Sequence, residues 1–462
     1  MLCGCGEWAK NSHLAVLRKM PEKVVLTHVI ELMERTEEEV RSVLRMKGIP
    51  VWENVKIIRT ERGVLPAAKM PKRTEVDACI VATISEQHLQ YLKWSLGKGL
   101  HTLSDKPLTF HAKASTDPAK AREIVSDYHE LMSLARKTNG LIFMLATQKR
   151  YQWAFHKIAE RLERVAKTGY PVTCVDCMTS DGYWMLPWEY SGQRYHSYDY
   201  GGGKLTHTGY HFLDIVPWLM RHSNISGNNM ITHAWVTSTL FRPSDSVAIM
   251  SAEGIRNLIH SEERCGVEIA DDLGDINSYV QVKFCNGKRL ITSVNFTFLH
   301  EGFSLRTTTE SREAVTGRTK IDHMMISQGP VFYAKFGRVA KILDAEAVSP
   351  IGRPDHFELD FIANNITGLP RIERLIPESL ETYEGCGDDE LPTADFFEAI
   401  LDPSREPLTV SPTSDHEIGV KLLSAAYESA AHSYQQQDGM PVPIKIDFDP
   451  SLWQKPPPYW KK

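Results

Sequence analysis

Three short runs hold residues whose types and spacing could do chemistry. Near the start, Gly4-Cys5-Gly6-Glu7-Trp8-Ala9 has the G-x-G-x-x-A form of a phosphate loop. Glycines there permit a tight turn and let backbone N–H groups at a helix start approach a pyrophosphate. An apolar helix, His13 to Met20, and then a strand come after it. Glu31 stands at that strand's end, where a carboxylate accepts hydrogen bonds from a ribose 2′-OH. The plain alternative is a chance glycine pair beside an ordinary surface glutamate.

The second run lies beyond an apolar strand, Asp77 to Ala82. Thr83 and His88 lie just past its C-terminal end, where ligands of open parallel sheets bind. Gly99-Leu100-His101-Thr102-Leu103-Ser104-Asp105-Lys106-Pro107-Leu108 comes next. A lysine fixed ahead of a proline at a strand end can donate to a substrate oxygen or lower a neighbour's pKa; otherwise it is a solvated lysine in a turn.

The third run extends from Gly201-Gly202-Gly203 through His207 and His211 to Asp214. If the chain is helical from His207, spacings of four and three put His207, His211 and Asp214 on one face. That face offers an acid/base pair, or a His-x3-His metal half-site with a carboxylate. Two core-facing histidines are the bland reading. Just upstream, Tyr183, Trp184, Trp188, Tyr190, Tyr195, Tyr198 and Tyr200 suit either stacking on a sugar ring or a domain or subunit interface.

The elements that must position these residues alternate through the first third. Strand-like segments at Lys23 to Ile30, Asp77 to Ala82, His101 to Ser104 and Leu141 to Ala146 are interleaved with helical ones at Glu37 to Lys47, Gln87 to Lys98 and Ala119 to Lys137. That order predicts a doubly wound parallel sheet over 1–148. Beyond it, Tyr279 to Phe284 and Leu290 to Thr297 alternate apolar and polar residues around Asn286-Gly287, a hairpin signal, so antiparallel pairing is expected in a second domain over 149–462. Phe241 to Asp275 and Pro377 to Pro392 read as loops or insertions. His416 to His432 reads as a late helix.

Bulk properties agree with two domains: 462 residues, 42% apolar and 24% charged. The net charge of -5, with no dense basic run among aromatics, argues against nucleic acid. No stretch approaches the roughly 20 apolar residues of a membrane span, and no secretory leader stands at the start, so a cytoplasmic protein is expected. The scattered cysteines are expected to be reduced thiols. Cys174 and Cys177 would point to opposite faces of a strand, so no metal is expected there.

Together the runs resemble the Gfo/Idh/MocA family of oxidoreductases, which includes glucose-fructose oxidoreductase and inositol dehydrogenase. GCGEWA, ATISEQH, GLHTLSDKP and GGGKLTHTGYHFLD stand, in order, where that family carries its GxGxxA loop, its Thr-Pro…His signature, its lysine motif and its GGG…H motif. The resemblance implies an N-terminal Rossmann domain and a C-terminal α+β domain with an open, mainly antiparallel sheet. It implies a dinucleotide held by Gly4, Cys5, Gly6, Trp8, Ala9, Glu31, Thr83, His88, Asp105 and Lys106. Glu31 favours NAD, and nearby Arg35 leaves NADP possible. It implies Lys106 beside the nicotinamide and the reacting hydroxyl, His211 as general acid/base with His207 beside it, and Arg150, with His207 and His211, as contacts of a sugar-like substrate. A homodimer or homotetramer is implied as well.

Four departures stand out. The family's Asp in the last motif is His207 here, its Glu is Asp105, and its Pro is Ile84. Only Met1-Leu2-Cys3 precede the first glycine, so the sheet is expected to keep only a stub of its central strand. The function these features imply is hydride transfer between a nicotinamide and a sugar, polyol or sugar-derived metabolite. An NAD-dependent glycoside hydrolase of the same fold and a non-catalytic dinucleotide-binding relative are the alternatives.

Overall fold

Leu2 and Cys3 form a two-residue strand (β1, Leu2–Cys3) that nonetheless lies at the centre of a parallel sheet. The computed structural model describes all residues except 192–196, 251–252, 255–268, 303, 307–314, 343–353, 376–388, 406, 437–438 and 458–462. β1 pairs on one side with β2 (His28–Leu32) and on the other with β4 (Ala78–Val81), Leu2 lying beside both Val29 and Ile80. With β3 (Lys56–Thr60), β5 (His101–Asp105) and β6 (Phe143–Ala146), the order is β3-β2-β1-β4-β5-β6, all parallel. This is the doubly wound sheet expected over the first third. It has its topological switch where β1 and β4 end.

The first strand is as short as its sequence implies, but its flanks continue the ladder. The Met1 ammonium donates to Ala78 O at 2.9 Å, Ile80 N–H donates to Met1 O at 2.9 Å, and Gly4 N–H donates to Ile30 O at 2.9 Å. β2 begins at His28 rather than Lys23. Its neighbour β3 starts at Lys56, opposite His28, so residues further back have no ladder to join.

Helices flank this sheet. α1 (Glu7–Asn11) and α2 (His13–Lys19) come after β1, and α3 (Glu37–Met46) after β2. A capping box between Thr36 and Glu39 starts α3, which buries Val40, Val43 and Leu44. α4 (Ser85–Gly97) and α5 (Pro118–Ala135) complete the set, α5 starting on the Asp117 side chain, which accepts from Ala119 N–H.

The strands of the second sheet are β7 (Cys174–Tyr183), β8 (His233–Phe241), β9 (Asn277–Asn286), β10 (Arg289–Glu301), β11 (Ser304–Arg306), β12 (Val315–Gln328), β13 (Phe332–Ile342), β14 (Pro354–Ala363), β15 (Ile372–Arg374) and β16 (Ile444–Asp447). They run in the order β15-β14-β13-β12-β7-β10-β9-β8-β16, with β11 against β12. Among the described residues only the β7–β10 pair of this sheet is parallel, so the sheet is mainly antiparallel as expected. The β9–β10 hairpin closes at Asn286 opposite Arg289.

α6 (Trp153–Ala166) packs on β13, and α7 (Tyr210–Met220) packs on a long late helix, α10 (Glu417–Gln436), which also lies against β8 and α5. The segment read as loop after Phe241 contains the short helix α8 (Pro243–Ile249), and part of it lies outside the described residues. Most of the predicted loop from Pro377 lies outside them too. The chain then forms α9 (Leu391–Leu401), whose Phe396, Phe397 and Ala399 join Leu2, Cys5, Ile80 and Met144 in the first domain's core. Among the described residues, no helix is long and apolar enough to cross a membrane.

Candidate active site

The turns after β1, β4 and β5 lie on the side from which Lys106 reaches the second domain, and most of the predicted residues, though not Arg150, lie along that cleft. Gly4 leaves β1 with φ +86°, and a Cβ there would lie 2.5 Å from Ala82 O, so only glycine fits. Gly6 is the N-cap of α1, and a Cβ on it would meet nothing within 4 Å. That open space beside a helix start is what a pyrophosphate needs, and the residues present fit a dinucleotide. Ala9 is buried beneath the loop and Trp8 is half-buried on α1.

Glu31 reaches the loop itself. Its Oε2 accepts from Cys5 N–H at 3.1 Å and from Arg35 Nη1 at 2.8 Å, while Arg35 Nη1 also donates to Cys5 O at 2.9 Å. Arg35 therefore offsets the charge of the carboxylate expected to meet the ribose. Burial, with Glu31 close by, pushes the Cys5 thiol up to about 11, so it stays neutral.

At the next two strand ends the roles separate. His88 is buried with its ring nitrogens 2.9 Å from Thr83 O and Pro107 O, so it fastens the two turns to each other. Asp105 Oδ1 lies 3.1 Å from His13 Nε2, and His13 Nδ1 lies 2.7 Å from Thr393 Oγ1 on α9. Asp105 thus anchors the strand end rather than projecting freely. Lys106 crosses the cleft, its ammonium donating to the main-chain carbonyl of His207. Burial pulls its pKa down to about 8, against the opposing pull of Asp105 and Asp181.

The GGG run explains how the third motif reaches Lys106. A Cβ on Gly203 would lie 2.2 Å from Asp275 O, so the glycine lets two backbone segments touch. Lys204 N–H then donates to Asp275 O at 2.9 Å and Leu205 N–H to Asp275 Oδ2 at 2.8 Å. A π-helical turn, Leu205–Gly209, leads from there into α7. Such a turn widens the helix and frees main-chain groups for outside partners, and it alters the phase on which the shared face of His207, His211 and Asp214 was predicted.

That trio does not form. Asp214 is buried, takes a bidentate pair from Arg150 at 2.8 and 2.7 Å, and lies 2.8 Å from His416 Nδ1. Among the described residues no group of His, Cys, Asp and Glu could hold a metal. Arg150, expected as a substrate contact, is instead 1% exposed and committed to Asp214 and the Asp415 carbonyl. Its neighbour Lys149 points toward the cleft side, pairing with Asp322 at 3.1 Å over the ring of Phe212.

His211 has no such commitment. It is 5% exposed and its Nδ1 has no hydrogen-bond partner. Burial, with the positive charges of Lys106, Lys149 and Lys320 nearby, holds its pKa well below the usual histidine range. The imidazole is therefore neutral at pH 7, with a free nitrogen.

Sequence reasoning missed the sheet face opposite Lys106. Asp181 on β7 is buried; its Oδ2 is 2.7 Å from Lys204 Nζ, its Oδ1 is 3.7 Å from Lys320 Nζ, and it accepts from the Thr208 hydroxyl at 3.1 Å. Burial would raise this carboxyl, but Lys204, Lys320, His207 and His300 hold it well below the usual carboxylate range. Because Thr208 donates to Asp181, it accepts from His207 Nδ1 at 3.0 Å. Asp181 thus returns, through Thr208, the carboxylate that position 207 lacks. The signal was present in the alternation of β12, where Lys320 and Asp322 share a face with the buried Met324 and Ile326.

The aromatic stretch resolves into a small core: Tyr190 and Tyr198 are buried with Met185 and Ile276, and Tyr183 stacks on His300 at 4.7 Å. Tyr195 lies outside the described residues. Cys174 is half-buried and Cys177 buried, on opposite faces of β7, as expected.

Residues 1–134 match a family model, GFO_IDH_MocA, described as an oxidoreductase family with an NAD-binding Rossmann fold. The whole chain is similar in fold to solved structures. An aldose-aldose oxidoreductase from Caulobacter crescentus complexed with glycerol aligns at TM-score 0.54 and 14% identity, over 97% of this chain and 98% of that one. A WlbA dehydrogenase from Bordetella pertussis in complex with NADH and UDP-GlcNAcA aligns at 0.54 and 12%, over 97% and 98%. Apo scyllo-inositol dehydrogenase from Lactobacillus casei aligns at 0.53 and 13%, over 96% of each. No curated protein matches this sequence.

Proposed function

We propose that this chain, whose residues 1–134 match the model of the GFO_IDH_MocA oxidoreductase family, moves a hydride between bound NAD and a carbon bearing a hydroxyl or carbonyl in a sugar-like substrate. Gly4, Cys5, Gly6, Trp8, Ala9 and Glu31 would hold the dinucleotide, with Thr83, His88, Asp105 and Lys106 framing its nicotinamide end. When bound, NAD supplies the hydride acceptor, and its reduced form the donor. In the oxidation direction the His211 imidazole would take the O–H proton as the carbon gives up its hydride and the C–O bond becomes a carbonyl.

Lys106 donates to the reacting oxygen and stabilises charge that develops on it. A neutral His211 accepts the proton, the form its burial enforces. His207, tied through Thr208 to Asp181, lines the same pocket and touches substrate.

The observation that carries this reading is the meeting of Lys106 from the first domain with an unpartnered, neutral His211 from the second in one buried cleft. The sugar-handling names of the structural neighbours support the substrate class. The test is turnover of sugars and polyols with NAD by the wild-type chain against Lys106→Ala. Formation of reduced nicotinamide that the substitution removes is the expected result.

A further inference from the structure

We propose that Thr208 is a positioning residue for the reaction: it holds His207 with its proton on Nδ1, so that the neutral ring meets the substrate with a lone pair on Nε2 rather than an N–H. The inference rests on the oxidoreductase reading only in placing His207 against the substrate.

Asp181 on β7 begins the chain of contacts. Its carboxylate is buried and ionised, with Oδ2 at 2.7 Å from Lys204 Nζ. Thr208 is buried beside it, its hydroxyl 3.1 Å from Oδ2 and 3.3 Å from Oδ1. Between an ionised carboxylate and a hydroxyl only the hydroxyl can donate, and it has a single hydrogen. The same hydroxyl oxygen is 3.0 Å from His207 Nδ1 and accepts there, so Nδ1 carries the ring hydrogen. A neutral imidazole has one N–H, which leaves Nε2, on the far side of the ring from Thr208, as the acceptor.

The backbone is shaped for this arrangement. Successive side chains of an α-helix diverge by about 100°, but residues 207 and 208 both lie in the π-helical turn Leu205–Gly209, and π turns concentrate at functional sites. Two successive residues hold that turn: Lys106 donates to the His207 carbonyl, and Thr208 donates to Asp181. Gly209 closes it against the Phe298 ring, where a Cβ would lie 2.9 Å away. The order of donors depends on an ionised Asp181. Burial opposes that form, and the charges facing it outweigh burial: Lys204, Lys320 on β12, His207 itself and His300 on β10, with Lys106 across the cleft.

The test is NMR of the histidine ring nitrogens in the isotope-labelled full chain, with His207 assigned from His207→Gln. As pH is raised, the wild-type ring is expected to keep its Nδ1 proton and lose the one on Nε2. Free histidine prefers the opposite tautomer in water, so this outcome is specific. Thr208→Ser should keep the pattern, and Thr208→Val, of nearly the same shape, should lose it with NADH affinity unchanged. With the best substrate from a panel of sugars and polyols and NAD+, Thr208→Val should lower kcat/KM by about tenfold or more, and Thr208→Ser should restore most of it. In a His207→Gln background Thr208→Val should then have little further effect. An Nε2–H ring in the wild type, an unchanged tautomer in Thr208→Val, or losses from Thr208→Val and His207→Gln that simply add would each overturn the proposal. The expected tautomers in a protein that never reduces NAD+ would count against the oxidoreductase reading alone.

Discussion

The ammonium of Lys106, at the end of β5, donates to the main-chain carbonyl of His207 across the cleft between the two sheets. One domain carries the lysine and the other supplies its acceptor, so this bond ties the end of β5 to the turn that precedes His211. That bond uses one of three ammonium hydrogens, which leaves others for a substrate oxygen.

Replacing Lys106 by Ala should lower kcat/KM by about 10²–10⁴-fold, the usual range for a general-acid or charge-stabilising group. NADH affinity should change little, because the phosphate loop is untouched. Stopped-flow turnover and cofactor fluorescence titration check the two halves.

Lys106 also sets a pH limit. Its ammonium is the donor, and burial brings its pKa to about 8. Protonated below that value, it supports carbonyl reduction; as pH rises through about 8 the proton is lost and the reduction rate should fall. A pH profile of kcat/KM for reduction should show this alkaline limb, and Lys106→Arg, whose guanidinium stays charged, should shift it upward.

His211→Asn should remove the proton acceptor while keeping a polar side chain, lowering kcat by about 10²–10⁴-fold. Folding should be preserved, because His211 Nδ1 makes no hydrogen bond whose loss would strand a partner. Thermal unfolding and steady-state kinetics on the same preparation separate the effects.

Breaking the Arg150–Asp214 pair should do the reverse. Asp214→Asn leaves a buried guanidinium short of its counter-charge, for which about 3–5 kcal/mol of stability is expected to be lost. Denaturant midpoints measure it, and a variant as stable as the wild type would return Arg150 to the list of substrate contacts.

The cofactor end offers another test. Arg35 bridges Glu31 and the Cys5 carbonyl, so Arg35→Ala should free the Glu31 charge and widen any preference for NAD over NADP. Glu31→Ala should narrow it. Both are read from cofactor dissociation constants, and an unchanged ratio in both would remove Glu31 from the ribose site.

The parallel sheet, the glycine loop and the lysine motif were legible because each depends on local rules: buried apolar runs, φ > 0 at a glycine, and a strand end. The fate of Arg150 was not legible, since the turn at Gln148–Tyr151 decides whether residue 149 or 150 faces the cleft. Nor was the path of residues 205–209 legible: no propensity signalled the π turn there, which alters the phase of His207 against His211 and Asp214. Asp181 and Lys320 come from strands far apart in sequence, and only the register of β7 with β12 brings them together. Residues of that kind carry the electrostatics here, and single-strand patterns conceal them.

The central claim is net hydride transfer at Lys106 and His211. Its most direct test is the absorbance of reduced nicotinamide when the NAD+-loaded chain meets a panel of sugars, polyols and sugar acids, with Lys106→Ala alongside. A steady rise with at least one substrate is expected, falling by about 100-fold or more in the variant. No net absorbance change while a glycoside in the panel is cleaved, or a variant as fast as the wild type, would contradict it.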